Sequence, residues 1–238
     1  MLMSRVEEAI EEHSLLKHPF YQAWTCGELS KEDLQVYAKE YYHLEAAFPR
    51  FVSRVHSSME NPVLRQELTK NLISEEIEGK PHREQWLDFA EALGLNADEV
   101  TKNIPSSATQ KTMETFFDLC GRSDWHHGIA ALYAYERQQP QIAKTKREGL
   151  VKFYEMDENS PGLEFFKTHE KADEWHSEVE RMILQNSSRT GEAEAIVSSC
   201  RRAAEALWKF LDGICEQINL KERMAVCLTP SQKSFSLN

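Results

Sequence analysis

The segment from His169 to His176 constrains this chain more than any other stretch, because it combines a helical pattern with three side chains that can bind a metal. It reads H-E-K-A-D-E-W-H, and offsets of four and seven residues return His169, Asp173 and His176 to one face of an α-helix. Five apolar residues fall near the same side: Leu163, Phe166, Ala172, Val179 and Ile183. An outward polar stripe is the alternative, but this flank favours a ligand face that points partly inward.

The ligand types restrict the metal. Two imidazoles and a carboxylate suit iron, manganese or zinc better than soft copper or hard calcium. Burying these groups without a metal or hydrogen-bond partners would be costly. The segment therefore predicts a transition-metal site on a helix that runs from about Pro161 to Leu184.

The length of the chain favours one domain. Its 238 residues can form a large core, and no linker divides them. We predict a single helical domain over residues 1–218 and a loose C-terminal tail over residues 219–238.

Charge and hydropathy exclude several classes of protein. A net charge of −11 disfavours nucleic acid and anionic membranes as partners. There is no signal-peptide core and no run of about eighteen apolar residues, so we expect a cytoplasmic protein that does not contact a membrane. Five cysteines are scattered without C-x₂-C pairing, which indicates reduced thiols: Cys26, Cys120, Cys200, Cys215 and Cys227.

The periodicity of the chain is helical throughout. Ser4 with Glu7 and Ser30 with Asp33 predict capping boxes, and Pro49 predicts a kink in the second helix. No alternating strand pattern of convincing length occurs. We predict an all-α fold, an irregular bundle of about seven or eight helices.

The segment from Glu75 to His82 offers further ligands. Glu78 would pair with His82 in a regular helix, whereas Glu75 reaches His82 only if the helix is distorted at Gly79 and Pro81. Spacing alone does not choose between the two carboxylates.

Glu136 is a single acid in a stretch of small and aromatic residues, A-L-Y-A-Y-E. If it is buried, a metal, a cation or protonation must account for it. A salt bridge to the neighbours of Arg137, or exposure on an outer face, explains the local pattern equally well.

Taken together, three motifs resemble one family, the chlamydial CADD proteins. The motifs are E-E-x-x-G-x-P-H at residues 75–82, A-L-Y-A-Y-E at residues 131–136 and H-E-x-A-D-x-x-H at residues 169–176. The resemblance covers nearly the whole chain. It implies the haem-oxygenase-like fold of the dimetal oxidases, which are structurally akin to the TenA and PqqC proteins.

The resemblance implies two transition-metal ions, Fe/Fe or Fe/Mn, with O₂ as co-substrate and a reductant. We also expect a homodimer. The implied metal ligands, with Glu75 in place of Glu78, are three carboxylates and three imidazoles: Glu75, His82, Glu136, His169, Asp173 and His176.

The implied activity is the synthesis of 4-aminobenzoate for folate from the enzyme's own side chains. Tyr21 matches the tyrosine that supplies the ring, and Lys146 matches the lysine that supplies the amino group. Tyr37 and Tyr135 match tyrosines near the family's metal site, where they could relay electrons or protons. Phe165 stands where chlamydial members are expected to have tyrosine, so no radical role is expected there.

The position of Lys146 is the difficulty in this interpretation. Ten residues after Glu136 on one helix corresponds to ~15 Å along the axis. Lys146 must therefore reach the pocket by its long stem or through the bend at Pro140.

Other functions remain open. A PqqC-like or other haem-oxygenase-like oxidase would act on an external substrate. A TenA-like hydrolase would need a nucleophilic cysteine beside a catalytic histidine, which the sequence does not offer. From a different class, the chain could be a module that binds death-domain proteins and has a structural metal site. The tail lacks the cysteine cluster of the chlamydial protein, which argues against death-domain partners.

Overall fold

Eleven α-helices form the fold in the computed structural model, which describes residues 1–186 and 190–223, and no strand occurs among these residues. The predicted all-α fold is confirmed. The helices are α1 Leu2–Glu11, α2 Pro19–Cys26, α3 Lys31–Ser58, α4 Pro62–Glu76, α5 His82–Ala92, α6 Ala97–Thr101, α7 Ser107–Cys120, α8 His126–Glu136, α9 Gln139–Phe153, α10 Glu164–Asn186 and α11 Thr190–Gln217.

The number of helices exceeds the predicted seven or eight because the chain breaks where a continuous helix was expected. The stretch from Glu136 to Lys146 is not one kinked helix. α8 ends at Glu136, α9 begins at Gln139, and Pro140 occupies the first turn of α9, where its missing N–H costs little. By contrast, α3 continues through Pro49 to Ser58.

Local capping signals fix some helix starts. The predicted box at Ser30 and Asp33 is present at the start of α3, with each side chain accepting a hydrogen bond from the other's backbone N–H. The predicted box at Ser4 and Glu7 is wrong, because α1 already begins at Leu2 and has no side-chain cap.

The helices that carry the candidate site pack around one core. α10 contacts α8, α9, α5 and α4, and α3 contacts α4, α5 and α8. On α3, the offsets of four and eight residues bring Tyr37, Tyr41 and Glu45 to one buried face. This face of α3 points into the space that α10, α8 and α5 enclose.

The chain after α11 stays in contact with the core as far as the structure describes it. Leu220 is buried, and the Arg223 guanidinium pairs with the Asp33 carboxylate at 2.7 Å. The remainder of the predicted tail, including Cys227, lies outside the described residues. None of the described helices is both long and apolar enough to cross a membrane.

Candidate metal centre

The ligand face predicted on α10 points into the protein. His169, Asp173 and His176 are 5 %, 2 % and 3 % exposed. The apolar flank behaves as predicted, because Phe166, Val179 and Ile183 are also buried. The outward polar stripe is thus excluded.

The break between α4 and α5 brings two predicted ligands together. Gly79 has a φ of +65°, in the left-handed region that favours glycine, and lets the chain turn after α4. Glu75 ends up buried with its Oε2 3.0 Å from His82 Nδ1, whereas Glu78 is exposed. The geometry therefore favours Glu75, which regular helical spacing could not do.

Glu136, the last residue of α8, is 1 % exposed. The Asn71 amide donates a hydrogen bond to Glu136 Oε1 at 2.9 Å, and His176 Nδ1 lies 3.4 Å from the same oxygen. The interpretation of Glu136 as an exposed side chain is wrong, since α8 is buried on nearly all its sides.

These side chains form two groups that could each hold a metal ion. In one, ligand atoms of Glu136, Asp173 and His176 lie within 4.8 Å of one another. In the other, ligand atoms of Glu45, His82 and His169 do so. Together with Glu75, which contacts His82, these residues are called the metal-ligand cluster below.

Sequence reasoning missed Glu45. The same sequence pattern that singled out Glu136, a lone acid in an apolar stretch, could have identified it. Glu45 lies between the buried residues Leu44 and Phe48 on the inner face of α3. Glu180 was missed as well. It lies on the ligand face of α10, eleven residues after His169, and is 2 % exposed.

The polar atoms of the metal-ligand cluster are arranged to bind a metal ion, because many of them have no hydrogen-bond partner within the protein. Buried atoms without a hydrogen-bond partner include Nδ1 of His82 and of His176, Oε2 of Glu136, Oδ2 of Asp173 and Oε1 of Glu45. Buried polar groups are normally satisfied, so this many unsatisfied atoms are what a site that binds a cation requires. Nitrogen and oxygen donors without a thiolate match iron, manganese or zinc.

The electrostatics of these side chains agree with this fit. Burial raises the pKa of Glu75 to about 8, assisted by the charge of Glu136. Burial likewise raises the pKa of Asp173 to about 7. Burial would lower the pKa of His176, but the carboxylates of Asp173 and Glu136 outweigh it and raise that pKa to about 10. Without a cation, protons must compensate the acidic charge.

The imidazole of His169 is neutral and can therefore bind a metal ion. Burial holds the pKa of its imidazole well below the ordinary value, and the charge of His82 acts in the same direction. Its Nδ1 lies 2.7 Å from the backbone carbonyl oxygen of Phe165. If Nδ1 carries the proton, it donates to this oxygen and leaves Nε2 free to bind metal.

The four residues predicted to take part in the reaction meet in a second buried cluster. Lys146 Nζ donates a hydrogen bond to Tyr37 Oη at 2.5 Å, and Tyr37 Oη lies 3.4 Å from Tyr21 Oη. Tyr135 Oη lies 2.5 Å from the hydroxyl of Tyr41, which sequence reasoning did not single out. These five residues are called the tyrosine-lysine cluster below.

Lys146 enters the cluster because α9 is a separate helix that approaches α2 and α3. Its Nζ lies 5.1, 4.8 and 5.0 Å from the ring centroids of Tyr21, Tyr37 and Tyr41. Burial lowers the pKa of Lys146 to about 7, against the opposing charge of Glu45. The concern about its distance along a single helix therefore does not apply.

The two clusters adjoin one another. The Phe165 ring lies 4.0 Å from the His169 ring and 6.2 Å from that of Tyr41, measured between centroids. After burial itself, the charges of Tyr135 and Glu45 contribute most to raising the pKa of Tyr41. Glu45, whose carboxylate lies near His82 and His169, therefore also acts electrostatically on a phenol of the tyrosine-lysine cluster.

Solved structures define the class of fold. A domain of unknown function with a haem-oxygenase-like fold from Shewanella denitrificans aligns with a TM-score of 0.76 at 17 % identity, over 100 % of this chain and 97 % of that one. A CADD-like protein of unknown function from Nostoc punctiforme aligns with a TM-score of 0.75 at 18 % identity, over 91 % and 96 %. The fold is haem-oxygenase-like.

Sequence comparison then identifies the family. Residues 4–217 match the TENA/THI-4/PQQC family, and the chain belongs to it. A 4-aminobenzoate synthase from Nitrosomonas europaea is 40 % identical, over 94 % of this chain and 96 % of that protein. A 4-aminobenzoate synthase from Chlamydia trachomatis is 33 % identical, over 90 % and 92 %. A pyrroloquinoline-quinone synthase from Acinetobacter baumannii is 21 % identical, over 83 % and 79 %.

Proposed function

We propose that this protein is an oxygen-dependent dimetal oxidase that makes 4-aminobenzoate from its own side chains. Tyr21 supplies the aromatic ring and Lys146 the amino group. The metals, either two iron ions or iron with manganese, are held by the six predicted ligands. Support comes from the relatives named 4-aminobenzoate synthase and from the donor set of the metal-ligand cluster.

The observation that carries the proposal is the contact between Lys146 and the phenols. An amine and two tyrosine hydroxyls are linked within one buried cluster beside the candidate metal ligands. A lysine is an unusual residue to bury without a carboxylate partner, and no ion pair of Lys146 occurs within the described part of the chain. Structural packing alone would be served better by leucine or methionine.

The chemistry divides between the two clusters. When bound, the metals activate O₂ with electrons from a reductant and supply the oxidising power. Because the pKa of Lys146 is about 7, a large fraction of its amine is neutral near pH 7 and has a free electron pair. Tyr37 lies between Lys146 and Tyr21 and can accept or return a proton on either side. Tyr135, hydrogen-bonded to Tyr41, can serve the same purpose nearer the ligands.

Isotope labelling tests the proposal. Protein grown on ring-labelled tyrosine, loaded anaerobically with iron or with iron and manganese and then exposed to O₂ and reductant, should release labelled 4-aminobenzoate. The yield should not exceed one product per chain. Tyr21→Phe should bind metal and release none. Tyr133→Phe is the matched control, because Tyr133 is also buried but hydrogen-bonds to Glu7 instead of the cluster.

Two outcomes contradict the proposal. Unlabelled product would show that the ring comes from elsewhere. Sustained turnover with an added small molecule would favour an oxidase that acts on an external substrate, as the relatives named pyrroloquinoline-quinone synthase suggest.

A further inference from the structure

We infer that Glu45 is a fourth carboxylate ligand of the metal centre. It binds the same metal ion as His82 and His169. The inference rests on the proposed dimetal centre, although it does not depend on which reaction that centre performs. It adds a ligand from α3 to the six predicted ones, which all come from α4, α5, α8 and α10.

Glu45 lies close enough to two histidines to share a metal ion with them. A carboxylate oxygen of Glu45 and one nitrogen each of His82 and His169 lie within 4.8 Å of one another. The two imidazole rings are 4.6 Å apart between centroids. Three donors from three helices thus converge on one point.

The carboxylate of Glu45 is buried without the hydrogen bonds that would compensate its burial. Glu45 is 3 % exposed, and its Oε1 has no hydrogen-bond partner. The nearby cation does not account for it, since Lys146 donates its hydrogen bond to Tyr37 and no ion pair within 4.0 Å joins Lys146 to Glu45. A buried carboxylate without a partner is costly unless it binds a cation or a proton.

Glu40 is another buried acid on α3, and its carboxylate, unlike that of Glu45, has hydrogen-bond partners. It is 4 % exposed, and its carboxylate accepts hydrogen bonds from the backbone N–H of Ser106, at 3.0 Å to Oε2, and from the hydroxyl of Thr109. This buried acid therefore has partners that hold it in place. The contrast with Glu45, five residues further along α3, indicates a different role for Glu45.

The carboxylate of Glu45 also brings the negative charge of the ligands level with the positive charge of two divalent metal ions. Glu45, Glu75, Glu136 and Asp173 carry four negative charges when ionised, which match two divalent cations. Because the other ligands are neutral imidazoles, these ligands and the two ions would together be electrically neutral; Glu180, which is also buried and has no hydrogen-bond partner, must then be protonated. Neutrality matters here, since uncompensated charge inside a protein destabilises the folded state. With three carboxylates, one positive charge would remain.

An anaerobic Co²⁺ titration tests the inference, with binding followed by equilibrium dialysis and by the d–d absorption of the metal. Wild type should bind two Co²⁺ per chain. Glu45→Gln and Glu45→Ala should weaken one of the two sites by about tenfold or more and change the absorption spectrum. Glu40→Gln, the matched control, should retain both sites with wild-type affinity and spectrum.

Thermal unfolding separates ligand loss from misfolding. Without metal, Glu45→Gln should unfold at or above the wild-type temperature, because it removes a buried ionisable group. Its stabilisation by Co²⁺ should be smaller than that of wild type. Glu40→Gln should unfold at a lower temperature with and without metal, because it loses hydrogen bonds instead of a metal ligand.

Two different results would contradict the role of Glu45 and the dimetal centre, respectively. If wild type binds two Co²⁺ and both Glu45 variants bind two with unchanged affinity and spectrum, Glu45 is not a ligand, and the proposed dimetal centre stands with six. If wild type binds at most one Co²⁺ per chain, the dimetal proposal fails and this inference fails with it.

Discussion

Lys146 lies in an environment unlike that of an ordinary lysine. It is 1 % exposed, is surrounded by aromatic rings and has no carboxylate partner among the ion pairs of the described residues. Its retention at this position costs stability, which is typical of a group kept for chemistry rather than for packing.

Replacing Lys146 by methionine should stabilise the metal-free protein at pH 7. The unfolded lysine has a pKa near 10.5 and the folded one a pKa of about 7, so the unfolded state binds more protons between these values. Wild-type stability therefore rises with pH across this window. The advantage of Lys146→Met should be a few kcal/mol at pH 7, at most ~5 kcal/mol, and should shrink toward pH 10.

Urea unfolding at pH 7 and at pH 9.5 measures this difference. Lys144→Met is the control, because Lys144 lies on the same helix but is exposed. The prediction is wrong if the two substitutions change the free energy of unfolding equally, or if the effect of Lys146→Met does not depend on pH.

At the scale of elements, the contact between α9 and α2 decides where Lys146 lies. A Cβ added to Gly149 would lie 2.8 Å from the ring of Trp24, which is fully buried. The Trp24 indole N–H also donates a hydrogen bond to the backbone carbonyl of Lys146 at 3.2 Å. The absence of a side chain at Gly149 allows this approach.

Gly149→Ala should separate α9 from α2. Overpacking costs ~1–3 kcal/mol, and the higher helix propensity of alanine returns up to ~1 kcal/mol, so we expect a net loss of ~1–2 kcal/mol. The yield of 4-aminobenzoate should also fall, because Lys146 is displaced from Tyr37. Chemical denaturation and a single-turnover assay measure the two effects. Glu148→Ala changes an exposed neighbour and should leave both near wild type.

At the scale of the whole molecule, the interior holds an acidic site that only cations or protons can neutralise. In the metal-free protein, the raised pKa values of Glu75 and His176, about 8 and 10, mean that both groups are mostly protonated at neutral pH, and Asp173, with a pKa of about 7, is protonated in about half of the molecules. Metal must displace these protons. Binding and protonation therefore compete at the same side chains.

Metal affinity should consequently increase with pH between about 6.5 and 8, roughly tenfold per pH unit for each proton released. Calorimetric titration with Mn²⁺ in buffers of different ionisation enthalpy counts these protons. Glu75→Gln should release fewer protons than wild type. An affinity that does not change with pH would contradict the assignment of these residues as ligands.

Features that depend on geometry within one helix could be predicted from the amino-acid sequence. The spacing of His169, Asp173 and His176 predicts a shared face, and Gly79 with Pro81 predicts the distortion that admits Glu75. Both follow from 3.6 residues per turn and from the backbone limits of glycine and proline, which are local properties. The family resemblance then assigned roles that no local rule could supply.

The tertiary structure decided what depends on how helices pack against one another. It placed Glu45 beside His82 and His169, joined Tyr41 to Tyr135, and brought Lys146 against Tyr37 although the chain spacing from Glu136 opposed it. In each case the partners lie on different helices, separated by 37 or more residues. Periodicity defines only which face of a helix is buried, whereas the choice of the neighbouring helix and its register comes from packing across the whole core.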